Sequence, residues 1–304
     1  MLPFPAFAFE APDRLEDALA IAAAPDSRII AGGTDLLPSM KHRLFTPGTL
    51  LSLRRLEDLR GIRRTADGGL SIGAMTSLRN VRRSPLVANS HPALAEACRT
   101  IATSTIQAMG TLGGNIMLDT RCLFYNQPAG WRESIGGCLK AEGRICHVAP
   151  KGKGCYAAHS ADTIPALWLY GAEVEFASQG GVRQVAITDL FDEDGRTWLR
   201  VQPGEILTRI LLPPPGARVI HRKLRLRNAI DYGQLLVAVQ RTGIGARAVI
   251  SAIGPQPIPV SALRAADLPE AAYKAAKPLN THAIASMWRK QMVRVEVRRA
   301  LAEL

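Results

Sequence analysis

Apolar residues at helical spacing open the chain. In APDRLEDALAIAAAP, Leu15, Ala18, Leu19 and Ala22 fall on one face, Asp13 stands where a cap is needed, and Pro25 ends the run. SRIIAGGTDLLPSMKHRL then reads as a short strand, a Gly-Gly turn and a helix, and TLLSLRRL as another strand. This βαβ-like rhythm stops near residue 56. A second unit starts at GIRRTADGGLSIGAMTSL, two strands around the turn residues Asp67 and Gly68. HPALAEACRTIATSTIQAMG carries Leu94, Ala97, Cys98 and Ile101 at the core spacing of one helix. TIPALWLYG, AEVEFAS and VRQVAIT read as a helix end and two strands. The prolines of LPPPG at 212–216 stop regular structure and mark a boundary. Beyond them, LLVAVQRTGIGARAVISAIG predicts paired strands, and the tail is helical, ending in the amphipathic ASMWRKQMVRVEVRRALAEL.

Composition adds limits to this pattern. With 304 residues, 47% hydrophobic, 21% charged and 5% aromatic, the chain is a soluble globular protein of two or three units. No run of about 18 apolar residues occurs, so no membrane association is expected. The start MLPFPAFAFE has two prolines and no basic flank, which argues against a secretory signal and for a cytoplasmic protein. The net charge is +12, gathered in patches such as LRRLEDLRGIRR, HRKLRLR and RKQMVRVEVRR. These patches suit a solvated surface or an acidic protein partner. Nucleic acid is not expected as a partner, because no aromatic-interleaved basic stretch, helix-turn-helix pattern or finger spacing accompanies the charge.

Two glycine-rich turns are candidates for chemistry: AGGTD at 31–35 and GTLGGN at 110–115. Glycine permits positive φ and lets backbone N–H groups converge on an anion without a side chain intervening. Brought together, the turns could hold a pyrophosphate, with Thr34, Thr111 and Asn115 adding hydrogen bonds. Taken singly, each is an ordinary tight turn. Neither matches the dinucleotide G-x-G-x-x-G fingerprint or a P-loop, so a Rossmann or NTPase reading is excluded.

Four of the five cysteines lie between Arg121 and Tyr156. Cys122, Cys138, Cys146 and Cys155 are separated by 15, 7 and 8 residues. Thiolates suit zinc or iron–sulfur clusters, and the absence of any C-x-x-C pair argues against a common zinc ribbon. Disulfides are disfavoured where no secretory signal is found. Gly130, Gly136, Gly137, Gly143, Gly152 and Gly154 give the loop freedom to fold around a compact centre. On spacing alone, an iron–sulfur cluster and zinc stand level. Cys98, on the apolar face of a helix, reads as a core residue.

In order, IIAGGTDLL, LSIGAMTSL, MGTLGGNI, HSADTIPALW, GEILTRILLP and RKLRLRNAIDYG resemble the flavin-binding subunit of the xanthine dehydrogenase family of molybdenum hydroxylases. The resemblance spans nearly the whole chain. It implies an α+β fold with a PCMH-type FAD-binding domain over 1–215, made of subdomains at about 1–55 and 56–215. A smaller C-terminal domain of antiparallel strands and helices would follow over 216–304. Carried across by position, Ile29, Ile30, Ala31, Gly32, Gly33, Thr34, Asp35 and Leu36 correspond to the first FAD loop, and Thr111, Gly114 and Asn115 to the second. Ile101 matches an apolar contact, Asp162 an acidic one, and Leu207 and Lys223 later contacts near the flavin; taken alone, Lys223 would be a surface lysine. The resemblance places no catalytic residue on this chain, since the substrate site lies on a partner.

The cysteine-rich loop 119–158 narrows the likeness towards the beta subunits of 4-hydroxybenzoyl-CoA reductases. That likeness implies a 4Fe-4S cluster on Cys122, Cys138, Cys146 and Cys155. It implies electrons passing from ferredoxin through the cluster and FAD, then through a 2Fe-2S small subunit to a molybdopterin-binding large subunit. The reaction would be reductive dehydroxylation of 4-hydroxybenzoyl-CoA, in a dimer of heterotrimers. The alternative within the family is an oxidative hydroxylase of an aldehyde or N-heterocycle, with electrons running outward and the loop a relic or a zinc site. A third reading, a basic nucleic-acid-binding module with structural zinc, would lack a yellow chromophore.

Overall fold

In the computed structural model, residues 3–227 and 230–304 are described, so residues 228 and 229 of the motif RKLRLRNAIDYG lie outside the described residues. Strands β1 (Ala8–Glu10), β2 (Ser27–Ile30) and β3 (Thr49–Ser52) form a parallel sheet in the order β1-β3-β2. Parallel neighbours need crossovers, and helices α1 (Leu15–Ala22) and α2 (Leu36–Lys41) supply them. Ala18 and Leu19 of α1 pack on Leu51, Leu53 and Leu56. Arg14, not Asp13, precedes α1, and no side chain caps it. The Asp13 carboxylate instead faces the Arg55 guanidinium at 3.7 Å.

The second sheet is antiparallel, with β4 (Ile62–Arg64), β5 (Leu70–Gly73), β6 (Glu173–Ser178), β7 (Gly181–Ala186) and β8 (Ile206–Leu212) in the order β4-β5-β8-β6-β7. Short helices intervene: α3 (Leu78–Arg83), α4 (Pro85–Ser90), α5 (Pro92–Arg99), α6 (Ser104–Met109), α7 (Leu112–Ile116), α8 (Ala129–Ser134) and α9 (Ile164–Tyr170). Leu70, Ile72, Val174, Phe176 and Ile210 from the sheet meet Leu78, Leu94, Leu112, Ile116 and Leu167 in the main core.

The single helix expected over 91–110 is broken. Residues 100–103 separate α5 from α6, and Ala102 turns left-handed at φ 43°. The Thr103 hydroxyl caps α6 by accepting from the Ile106 N–H at 3.1 Å. The Gln107 side-chain amide donates to the Ile101 carbonyl at 2.7 Å and so fixes the break. Threonine and serine offer the backbone local hydrogen bonds that compete with helix continuation, which the hydrophobic spacing does not register. Ile101 therefore sits in a turn rather than on a helix face.

The third sheet holds β9 (Val219–Leu224), β10 (Leu235–Thr242), β11 (Gly245–Ser251) and β12 (Ile258–Ala262), all antiparallel, in the order β12-β11-β10-β9. Leu235, Val237 and Val239 pack against Val293, Val297 and Ala300 of helix α11 (Ser286–Glu303), with α10 (Leu268–Ala275) beside it. On the other face, Ala238 and Val249 meet Ala93, Ala166 and Leu169 of α5 and α9. The middle strand is thus covered on both faces, which explains the continuous run LLVAV. The architecture is a mixed α+β fold, two subdomains followed by a smaller strand-and-helix domain. Among the described residues, no helix is long and apolar enough to cross a membrane.

Burial holds His159 and His221 neutral, pulling both down to about 4. A histidine whose folded value lies below its unfolded value near 6.5 contributes stability above that value and loses it as pH falls. Each should cost up to about 1.4 kcal/mol per pH unit between pH 6.5 and 4. The urea midpoint should therefore fall steeply across that window. The same measurement on His221→Phe should show a shallower slope, and an unchanged slope would remove His221 from the account.

Candidate functional site

The two glycine turns pack against one another. A Cβ built on Gly32 would lie 2.0 Å from the Met109 carbonyl oxygen and 3.0 Å from Gly110 Cα, so only glycine allows this approach. Gly33 takes φ 70°, the left-handed region that lets the chain turn from β2 into α2. The backbone N–H groups of Gly33 and Thr34 make no backbone hydrogen bond among the described residues, which leaves them available to an anion. In the second turn, the Thr111 hydroxyl accepts from the Gly114 N–H at 3.0 Å. Asn115 Oδ1 accepts from the Thr163 hydroxyl at 2.7 Å, which fixes the amide and leaves its NH2 group as a donor.

All the positions expected to touch a flavin line one cavity of about 580 Å³. Ile29 through Leu36 form one side, Thr111, Gly114 and Asn115 the next, and Ile101, Asp162, Leu207 and Lys223 the remainder. The Lys223 side chain is 2% exposed and pairs with Asp162 at 2.6 Å. Its ammonium also donates to the Thr100 carbonyl at 3.1 Å, one residue before Ile101. Burial pushes the Asp162 carboxyl above the usual carboxylate range, against the pull of the Lys223 cation. The pair thus ties β9 to the broken helix and to the strand-free segment before α9.

Several wall residues escaped the sequence reading. Arg28 lies 3.4 Å over the Phe45 ring, and Arg121 lies 4.3 Å over the Tyr232 ring. Arg121 also pairs with Asp35, so a carboxylate expected at the flavin is held by the cysteine-rich loop. Tyr232 stands in a quoted motif and could have been singled out. Trp198 had no local signal: it reaches the cavity from the long connection between β7 and β8, held by a bond from its indole N–H to the Leu118 carbonyl at 2.9 Å.

The cysteine-rich loop needs a correction. Cys122, Cys138, Cys146 and Cys155 are buried, unbridged, and line one small cavity together with Phe124, Lys140 and His147. Yet among the described residues, no group of three or more His, Cys, Asp or Glu side chains is placed to hold a metal ion. The 4Fe-4S cluster expected on these four cysteines is overturned by that finding, and the zinc alternative falls with it. Burial pushes the Cys122 and Cys155 thiols up to about 11, so both are neutral in the metal-free loop. Cys122, Cys138 and Cys155 pack instead with Tyr125 and Ala157 as a small apolar core for the loop. The fully buried Arg132 pins this loop to the first subdomain, donating to the carbonyls of Gln127 at 2.6 Å, His42 at 2.9 Å and Arg43 at 3.1 Å.

Comparison with known proteins agrees with the cavity. A family model described as the FAD binding domain in molybdopterin dehydrogenase matches residues 5–215. The chain belongs to this family. It is 32% identical over 242 residues to the aldehyde oxidoreductase FAD-binding subunit PaoB of Escherichia coli, covering 76% of each chain. It is 31% identical over 252 residues to the carbon monoxide dehydrogenase medium chain of Afipia carboxidovorans, covering 82% of this chain and 73% of that one. Among solved structures, it resembles reconstituted CO dehydrogenase from Oligotropha carboxidovorans at a TM-score of 0.78 and 25% identity, over 99% of this chain and 98% of that chain. Quinoline 2-oxidoreductase from Pseudomonas putida shares the fold at a TM-score of 0.77, 24% identity and the same coverage. These relatives carry the likeness to flavin subunits of molybdenum hydroxylases, whereas the narrower likeness to 4-hydroxybenzoyl-CoA reductase rests on the cysteine-rich insertion of loop 119–158 and on none of these relatives. FAD fits the cavity found here: glycine backbones stand close enough to cradle a pyrophosphate, and Ile101 and Leu207 give an apolar wall for a ring.

Proposed function

We propose that the chain is the flavin-carrying electron-transfer subunit of an oxidative molybdenum hydroxylase that acts on an aldehyde. The observation that carries this reading is the 32% identity, over three quarters of both chains, to the FAD-binding subunit of an aldehyde oxidoreductase. Bound FAD would supply the exchange between paired and single electrons. The chain's own residues bind and orient it. The Gly32–Thr34 and Thr111–Asn115 turns hold the pyrophosphate, Ile101 and Leu207 exclude water from the ring, and the Asp162–Lys223 pair fixes the turn that carries Ile101. In this reading the substrate site lies on a molybdopterin-binding large subunit, a 2Fe-2S small subunit completes a heterotrimer, and two heterotrimers associate.

Reductive dehydroxylation of 4-hydroxybenzoyl-CoA, driven by ferredoxin, depended on a 4Fe-4S entry point in the loop. Without it, nothing in the site favours that direction over the outward one, and the relatives are named as an aldehyde oxidoreductase and a carbon monoxide dehydrogenase. The test is anaerobic mixing of the purified complex with benzaldehyde, quinoline, xanthine or carbon monoxide while flavin absorbance is followed. Benzaldehyde should bleach the flavin fastest. Bleaching by quinoline or xanthine and by no aldehyde would replace the aldehyde with an N-heterocycle. Turnover of 4-hydroxybenzoyl-CoA with a reduced donor, and none with the other substrates, would defeat the oxidative reading altogether.

A further inference from the structure

One buried cation outside the expected site stands between the two cavities. Lys140 belongs to the cysteine-rich loop, two residues after Cys138, and its side chain is 6% exposed. It lines the small cysteine-lined cavity. Its ammonium donates to Asp119 Oδ1 and to the Thr120 hydroxyl, each at 2.5 Å. It also lies over the Trp198 ring at 4.3 Å and over the Tyr125 ring at 4.6 Å. Tyr125 closes the network by donating its hydroxyl to Asp119 Oδ2 at 2.8 Å. Asp119 and Trp198 line the large cavity, so the ammonium stands directly behind that cavity's wall.

We infer that Lys140 is a positioning residue for the flavin, through which the cysteine-rich loop sets flavin affinity and reduction potential. This rests on the reading of the large cavity as the FAD site. The argument is electrostatic. A buried carboxylate must be paired or it repels charge strongly, because the low-dielectric surroundings screen little. Asp119 is 8% exposed and faces a cavity that is to receive a pyrophosphate. Lys140 is the direct ion-pair partner that offsets this charge, with the Arg28 guanidinium acting on Asp119 from the cavity side. The cation over the indole also fixes the Trp198 ring, whose face is negative and attracts it. Replacing Lys140 by an apolar residue removes the ion-pair partner of Asp119 and leaves the wall more negative, with Arg28 and the Tyr125 hydroxyl among the contacts that remain to the carboxylate. FAD then binds more weakly, and the reduced flavin, which carries more negative charge than the oxidised form, is disfavoured further.

The experiment uses apo-protein titrated with FAD, followed by flavin fluorescence, together with a potentiometric titration of the reloaded full-length chain. Lys140→Met should raise the FAD dissociation constant at least tenfold and make the flavin potential more negative. Lys140→Arg, which keeps a cation over the indole, should restore both. The double variant Asp119→Asn/Lys140→Met removes both charges and should recover most of the affinity lost in the single variant. Recovery in the double variant distinguishes charge from collapse of the loop, since collapse would be made no better by a second substitution. Should Lys140→Met not fold, Lys140→Gln takes its place: weaker flavin affinity than Lys140→Arg, recovered in Asp119→Asn/Lys140→Gln, supports the inference, and affinity equal to that of Lys140→Arg overturns it. Unchanged affinity and potential in a folded Lys140→Met chain also overturns it. A wild-type chain that binds no FAD at all would instead sink the reading of the cavity.

Discussion

Gly32→Val should yield a folded chain with less than a tenth of the wild-type flavin. The new Cβ would meet the Met109 carbonyl oxygen at 2.0 Å, and that oxygen is backbone, so the two glycine turns must move apart. Overpacking of this kind costs about 1–3 kcal/mol. The expense falls first on the contact between the turns, while the second turn stays anchored to the main core through Leu112 and through the Leu78 N–H that donates to the Gly110 carbonyl at 2.9 Å. The ratio of flavin to protein absorbance gives the loss, and far-UV circular dichroism shows whether the fold persists. Gly114→Val is a graded comparison, because its Cβ would meet the Thr111 hydroxyl at 2.9 Å rather than backbone. A folded Gly32→Val chain with a full flavin complement would show that the turns do not act as one cradle.

Lys223→Met should destabilise the apo-protein by about 3 kcal/mol, the usual scale for leaving a buried charge without its partner. Asp162 is 9% exposed at its side chain and would lose its ion-pair partner, keeping the weaker pull of Arg225. Burial already holds its carboxyl above the ordinary value, and the variant would raise it further. The sign follows: a carboxyl with a raised folded value favours folding below its unfolded value near 3.8 and loses that contribution as pH rises through the folded value. The deficit of the variant should therefore be greatest near neutral pH and smallest in acid, opposite to the effect of the buried histidines. Asp162→Asn/Lys223→Met should recover most of the stability, since a neutral pair carries no desolvated charge. Urea unfolding of the three chains at pH 5 and pH 7 measures this. Equal losses in the single and double variants would show packing rather than charge to be the cause. The single variant should also release flavin, because the Thr100 carbonyl loses the donor that places Ile101.

What the sequence determined by itself was local and ordered along the chain. The periodicities located β2 and α2 around the Gly-Gly turn, β4 and β5 around Asp67 and Gly68, and the paired strands β10 and β11, because these elements depend on turn chemistry and nearby apolar spacing. Motif order carried further, bringing Lys223 to notice although an isolated lysine gives no sign of burial. The break at 100–103 was not legible, since hydrophobic spacing continues through it while side-chain hydrogen bonds end the helix. Tertiary structure alone decided the rest. The meeting of two turns about 80 residues apart, the pairing of Asp35 with Arg121, and the placing of Trp198 against Lys140 are long-range contacts that no local pattern encodes. The cysteines are the sharpest case. Their clustering in sequence was plain, but whether thiols bind a metal or fill a core depends on their ionisation and mutual placement. Placement decides it: Cys122, Cys138 and Cys155 pack with Tyr125 and Ala157, and among the described residues no group of three or more His, Cys, Asp or Glu side chains is placed to hold a metal ion.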